Sequence, residues 1–311
     1  LLKNKTAMNK QTPLWLNKSL YPFSHRYIDL HSGRMHYVDE GQGEILLFVH
    51  GTPAWSFLYR EQIKTLRTKY RCIAIDHIGF GLSDKPGKFD GTPQAHSANL
   101  ALFVEKLGLT NITLVVHDFG GPIGLSFALA HPEKVRNLVI LNTWLWKTSD
   151  NPDVQKVEKV VNSRLGKFIY LHTNFSPSVL MKKAFHNKSK LTKAIHRHYT
   201  RPFPNKASRW GLLRLAKSLL GSSDWYEEQF EQLHKLESKS VLILWGTKDQ
   251  FIKPAFLGKW KEALPQATVR TFDVGHFVQE EAPQEVCDAI GDFVQKSQLS
   301  QVSNATVSTE N

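Results

Sequence analysis

Apolar residues in this chain gather in short runs that end abruptly at polar or glycine-containing turns. Residues 45–49, 72–75, 112–116, 135–141 and 241–245 have the continuous, β-branched character of strands covered on both faces, and 267–272 reads as a final strand. Between them, 55–66, 93–107, 122–131, 254–264 and 283–294 carry helical patterns; several open on Pro, and Gly108 closes one of them. Upstream, 26–30 and 34–39 alternate as two antiparallel strands with Ser32-Gly33 as their turn, an edge hairpin of the same sheet. Strands alternating with helices from residue 45 onward predict an α/β fold with a mostly parallel, doubly wound sheet whose strand ends share one edge.

From residue 144 to about 237 the alternation stops. The segment is helical, basic and aromatic and is broken by Pro152, Pro177, Pro202 and Pro204, as expected of an inserted helical cap. The expected organisation is an N-terminal arm over 1–22, a core over 23–146 and 238–296, a cap over 147–237, and a disordered tail rich in Ser, Gln, Asn and Thr over 297–311.

Composition narrows the class. In 311 residues, 41% hydrophobic content supplies a large core and excludes a disordered chain. Cys72 and Cys287 fall in a strand-like and a helix-like run, so buried thiols in a reducing compartment are expected, not a disulfide scaffold. No apolar run reaches membrane-span length and no segment has signal-peptide character, which points to a soluble cytoplasmic protein; Met8 is a candidate natural start. The formal net charge is +12, and Lys156 to Lys217 holds 15 Lys and Arg against the single acid Glu158. That segment has no nucleic-acid-binding signature, so a solvated basic face is favoured, with an anionic substrate or membrane surface as the lesser alternative. No cofactor or metal requirement is expected.

The candidate chemistry lies at strand ends. The strand over 112–116 runs into His117-Asp118-Phe119-Gly120-Gly121, a strand–turn–helix junction that presents a residue on a sharp bend. The usual elbow is G-x-S-x-G, which the chain lacks; Asp118 stands where Ser would, shifting the expected chemistry from acylation to carboxylate alkylation. Taken alone, an Asp before a helix is more often a helix cap. Asp249 follows the strand over 241–245 and His276 follows the last strand, giving the chain order nucleophile, acid, His. Asp249 as a turn cap and His276 as an ordinary loop histidine are the bland readings, and three such residues at three strand ends weigh against them jointly. His77 and Asp84 are expected to bond loop backbone.

With these pieces the sequence resembles the α/β-hydrolase superfamily over about residues 23–296, and within it the haloalkane dehalogenases and related epoxide hydrolases. The resemblance rests on the run from His50-Gly51-Thr52-Pro53 to Arg60, on His117-Asp118, and on Gly275-His276-Phe277-Val278-Gln279-Glu280. It implies that Asp118 is the nucleophile, His276 the base that activates water, Asp249 the acid orienting it, and the backbone N–H groups of Thr52 and Phe119 the oxyanion donors. It also implies a halide-holding Trp directly after the nucleophile, where this chain has Phe119. Trp144 or Trp146 could supply an indole from the core–cap mouth, with cap packing as their alternative role. Tyr170 and Tyr199 are the phenols that an epoxide hydrolase would need. Haloalkane hydrolysis is thus the leading expectation; an epoxide hydrolase or another ester- or lactone-directed hydrolase of this scaffold is the alternative, and a non-catalytic binding protein the minor one. The implied partners are a small apolar substrate and water, without nucleic acid.

Overall fold

The computed structural model of the chain describes residues 12–308, so Met8 and the residues before it lie outside the described part. Eight strands form one sheet: β1 (Arg26–Leu30), β2 (Gly33–Glu40), β3 (Ile45–Val49), β4 (Arg71–Ile75), β5 (Ile112–His117), β6 (Val135–Leu141), β7 (Ser240–Gly246) and β8 (Thr268–Phe272). Their spatial order is β1-β2-β4-β3-β5-β6-β7-β8, antiparallel for β1–β2 and β2–β4 and parallel for the rest. The edge hairpin and the alternating core therefore stand as the apolar pattern predicts. All six residues of β5 are buried, the mark of a central parallel strand with helices on both faces.

The core helices are α1 (Arg60–Leu66), α2 (Pro93–Lys106) and α3 (Gly120–Ala130). The first departs from the expected helix over 55–66: Trp55 is extended and residues Ser56–Tyr59 form a 3-10 turn before α1 begins. The reason is non-local, because the Ser56 N–H donates to Asp76 Oδ1, at 2.8 Å, beyond the end of β4. Between β6 and β7 the described chain makes only helices: α4 (Pro152–Asn162), α5 (Arg164–His172), α6 (Met181–Ala184), α7 (Lys193–Thr200), α8 (Trp210–Gly221) and α9 (Ser223–Glu231), with short 3-10 and π turns. α4 begins at an Asn151 side chain that accepts the N–H groups of Asp153 and Val154, with Pro152 in its first turn. The core then resumes with α10 (Pro254–Ala263), α11 (Val278–Glu281) and α12 (Pro283–Ser308).

The closing helix overturns the expected tail from 297. No Pro follows Pro283 and no Gly follows Gly291, so no breaker stops α12, which runs to Ser308. Ser297 is buried, and its hydroxyl donates to Asn137 Oδ1 on β6 at 2.8 Å; a polar residue counted as tail is thus a tie between helix and sheet. Cys72 and Cys287 are free and buried. Among the described residues no helix is long and apolar enough to cross a membrane.

Candidate active site

Asp118 sits at the tip of the turn between β5 and α3 with φ +53°, a left-handed backbone that a non-glycine residue seldom adopts. The turn tolerates it because its neighbours carry no side chain. A Cβ on Gly51 would lie 2.1 Å from Asp118 Oδ1, and one on Gly120 would lie 2.1 Å from the Val49 carbonyl. The helix-cap reading of Asp118 fails, since the residue capping α3 is Phe119 and no side chain bonds there. Instead the Thr52 N–H donates to Asp118 Oδ1 at 2.8 Å. The first backbone bond of the turn runs from Gly121 N–H to Asp118 O, so the Phe119 amide precedes it and the helix leaves it without an intrahelical acceptor.

His276 and Asp249 converge on the same spot. The His276 Nδ1–H donates to Asp249 Oδ2 at 2.7 Å, and His276 Nε2 lies 3.5 Å from Asp118 Oδ2. Asp249 Oδ1 accepts the N–H groups of Phe251 (2.8 Å) and Ile252 (3.1 Å). All three residues are at most 9% exposed. Burial alone would raise the Asp249 carboxyl, but the imidazole and the two N–H groups outweigh it and hold the pKa below the ordinary value. For His276, burial opposes the charged ring, yet the carboxylates of Asp249 and Asp118 overcome it and lift the pKa above 6.5. Next to it, His117 is kept neutral by burial and by His276, its pKa lowered to about 3, and its Nε2–H donates to the His276 carbonyl at 2.9 Å.

Several positioning contacts carry no motif in the sequence. Asn142, after β6, donates to Asp249 Oδ2 (2.9 Å) and to the Gly246 carbonyl (3.1 Å) and accepts the Gly246 N–H (2.8 Å), joining two strand ends. The Thr143 hydroxyl donates to the Asp118 carbonyl at 2.5 Å. Glu281 accepts backbone N–H groups from His186, Asn187 and Gly275, and the His276 N–H donates to Ala184 O, so the loop bearing His276 is fastened to the helical insertion. The one available signal was Asn142-Thr143-Trp144 at the end of a strand, a polar pair where the chain leaves the sheet.

Asp118, His276, Thr52 and Phe119 line a cavity of about 640 Å³ between the sheet edge and the insertion, whose other walls are mostly apolar. Trp144 and Tyr170 line it too. The Trp144 indole N–H and the Thr52 hydroxyl are buried with no hydrogen-bond partner among the described residues, while Trp144 packs edge-on against Phe119 at 4.9 Å. A buried donor with no acceptor is costly, and here two of them border the cavity that holds the Asp118 carboxylate. Burial raises the Tyr170 phenol to about 12, leaving it a neutral donor.

The other two candidates lie elsewhere. Trp146 packs among Phe230, Phe256 and Trp260, with Lys259 over its ring. Tyr199 is fully buried, and its hydroxyl donates to Glu280, which Arg60 also holds through two bonds. The physical reason is the same for both: aromatic side chains on the insertion are needed to seal it to the core, and position in the sequence does not distinguish that seam from the cavity wall. His77 and Asp84 act in loop backbone as expected: the His77 Nε2–H donates to His50 O, and Asp84 Oδ2 accepts the Arg34 N–H. Among the described residues no group of three or more His, Cys, Asp or Glu is placed to hold a metal ion.

The family model described as the alpha/beta hydrolase fold matches residues 44–283. Haloalkane dehalogenase 2 of Mycobacterium tuberculosis is 34% identical over 274 residues, covering 87% of this chain and 95% of that protein. A cis-3-alkyl-4-alkyloxetan-2-one decarboxylase of Shewanella oneidensis is also 34% identical, over 304 residues that cover 94% and 95% of the two chains. The solved haloalkane dehalogenase DatA of Agrobacterium tumefaciens superposes with a TM-score of 0.81 at 23% identity, covering 91% of this chain and all of that one, a likeness of fold.

Proposed function

The chain belongs to the α/β-hydrolase family as a haloalkane-dehalogenase-like enzyme, and from that membership we propose that it hydrolyses apolar haloalkanes through an alkyl ester on Asp118. The observation that carries this reading is the pair of partnerless donors, Trp144 Nε1–H and the Thr52 hydroxyl, bordering the same apolar cavity as a carboxylate on a strained turn. A carboxylate attacks an sp3 carbon without help from a base. The new bond joins an Asp118 oxygen to carbon, the carbon–halogen pair leaves with the halide, and the two donors face the charge that develops there.

Esterification removes the Asp118 charge, one of the two that hold a proton on His276. The imidazole then releases its proton more readily and Nε2 becomes a base. It takes a proton from water as the water oxygen attacks the ester carbonyl; the oxyanion falls to the Thr52 and Phe119 amides, and collapse expels the alcohol and restores Asp118. Asp249 keeps the ring in register and stabilises the transient cation.

The experiment is His276→Gln incubated with a bromoalkane and measured by intact-mass spectrometry. The expected result is a protein heavier by one alkyl group, mapped to the Asp118 peptide, together with one equivalent of halide. Absence of halide from every bromo- and iodoalkane, with the wild type included, removes the reading.

A second reading is favoured by Phe119. The indole that a dehalogenase places after its nucleophile is missing, the cavity is roomy, and a relative named for oxetan-2-one decarboxylation aligns over 94% of the chain. In such a lactone, Asp118 would attack the ring carbon bearing oxygen, and the leaving group would be a carboxylate still attached to the substrate. Loss of CO2 then sends its electron pair into a carbon–carbon double bond and releases Asp118, with no water consumed. Here His276→Gln still yields alkene, which separates the two readings. An epoxide hydrolase is less supported, because of its two expected phenols only Tyr170 reaches the cavity.

A further inference from the structure

The cavity opens onto a face unlike the rest of the surface. Val157 and Val160, one turn apart on α4, line the cavity and are 41% and 59% exposed; Phe251, from the loop after β7, lines it as well at 46%. On α5, Leu165 and Phe168 repeat the same spacing at 67% and 55% exposure. Large apolar side chains so exposed and so close together mark an interaction site.

Charge is interleaved with them. Lys156, Lys159, Arg164 and Lys167 are exposed on the same two helices, against Asp153 and Glu158. Asp153 is already engaged by Lys156 and Lys253. Three occupants are conceivable for an apolar, cationic face. A second copy of the chain would bring the same positive charge against it, and a nucleic acid satisfies the cations but gives nothing to Val160, Leu165 and Phe168. An anionic lipid surface matches both, since amphipathic helices of this composition bury their apolar residues at the acyl boundary and leave Lys and Arg among the headgroups.

We infer that the α4–α5 face docks on an anionic lipid surface and draws its apolar substrate from that phase into the cavity. The inference rests on the apolar-substrate reading of the cavity, while docking itself does not depend on the reaction at Asp118. It also changes the meaning of the basic segment: a merely solvated face has no use for the exposed apolar pairs beside its lysines.

The test is flotation of the full chain with vesicles of phosphatidylcholine alone and of phosphatidylcholine mixed with phosphatidylglycerol. Binding is expected only to the mixed vesicles and is expected to survive in part at high salt. Lys159→Glu/Arg164→Glu should lower partitioning by at least about fivefold. Leu165→Ser/Phe168→Ser should leave only a salt-removable remainder. Both variants should keep the wild-type melting temperature and the wild-type turnover of a short, water-soluble bromoalkane, so that failure of docking and failure of the reaction are read separately. The inference is overturned by absence of binding to phosphatidylglycerol vesicles, by binding that neither variant weakens, by a concentration-dependent dimer that Leu165→Ser/Phe168→Ser dissociates, or by duplex DNA displacing the protein from the vesicles.

Discussion

Trp144 Nε1–H has no hydrogen-bond partner among the described residues, and Trp144→Phe removes it while keeping an aromatic ring edge-on to Phe119. If that donor faces the leaving halide, the variant loses about 2–4 kcal/mol of transition-state stabilisation for chloroalkanes, read as a fall in kcat/KM, and less for bromo- and iodoalkanes, whose bonds break more easily. Phe119→Trp should move the chloride-to-bromide ratio the other way; the ratio is the readout, because the larger ring can also crowd the cavity. A second prediction concerns pH. The raised pKa of His276 means that its ion pairs stabilise the fold fully below its unfolded value of 6.5, and that this contribution is lost as pH rises through the higher folded value. The lowered pKa of Asp249 acts at the other end: its contribution is present above its unfolded value of 3.8 and is lost as pH falls. Thermal melts of wild type and His276→Gln should therefore differ most near pH 6 and converge at alkaline pH. At this scale the sequence is most legible where a residue terminates a strand. Asp118, Asp249 and His276 could be proposed together because each follows a predicted strand, Asp118 directly and the other two after a short turn. Tyr199 and Trp146 could not: Tyr199 stands on α7 and Trp146 in the irregular segment between β6 and α4, and which way either ring faces depends on how the insertion packs on the core.

Elements in this fold are held by buried polar ties as well as by apolar faces. Arg60 at the start of α1 and Glu280 in α11 form a bidentate pair at 2.5 and 2.7 Å, both side chains at most 3% exposed, and Tyr199 on α7 adds its hydroxyl. Glu280→Ala strands a buried guanidinium and should cost about 3–5 kcal/mol in urea unfolding; Arg60→Met/Glu280→Met together should cost less than Glu280→Ala alone. A smaller tie closes the chain: Ser297→Ala leaves Asn137 Oδ1 without its donor and should cost about 1 kcal/mol. Apolar patterning located every strand, the central ones as nearly unbroken apolar runs and the edge hairpin by its alternation. It misjudged two helix boundaries. The 3-10 turn ahead of α1 is tied to Asp76, 20 residues from Ser56 and not visible in the local pattern, whereas the polar composition after residue 297 masked the absence of any breaker in α12.

At the scale of the whole molecule, the insertion between β6 and β7 completes a cavity that the sheet edge alone leaves open, and its position was legible from the point where strand–helix alternation stops. Its attachment was not. Glu281 binds the loop at His186 and Asn187, and a further seam forms where the His198 ring stacks on Phe57 at 4.5 Å. The segment ahead of β1 joins that seam: the Asn17 N–H donates to His198 Nε2 at 3.0 Å, Trp15 meets both Trp55 and His198 edge-on, and the Trp55 indole N–H donates to His198 O. One side of the insertion is thus completed by chain that precedes the core, some 180 residues earlier in sequence. Recombination therefore has a hidden constraint. A chimera that transplants only the stretch between β6 and β7 into another hydrolase would deliver His198 without the amide and the indole that receive it, so the exchangeable unit is a discontinuous one, made of the insertion together with the leader that laces it down.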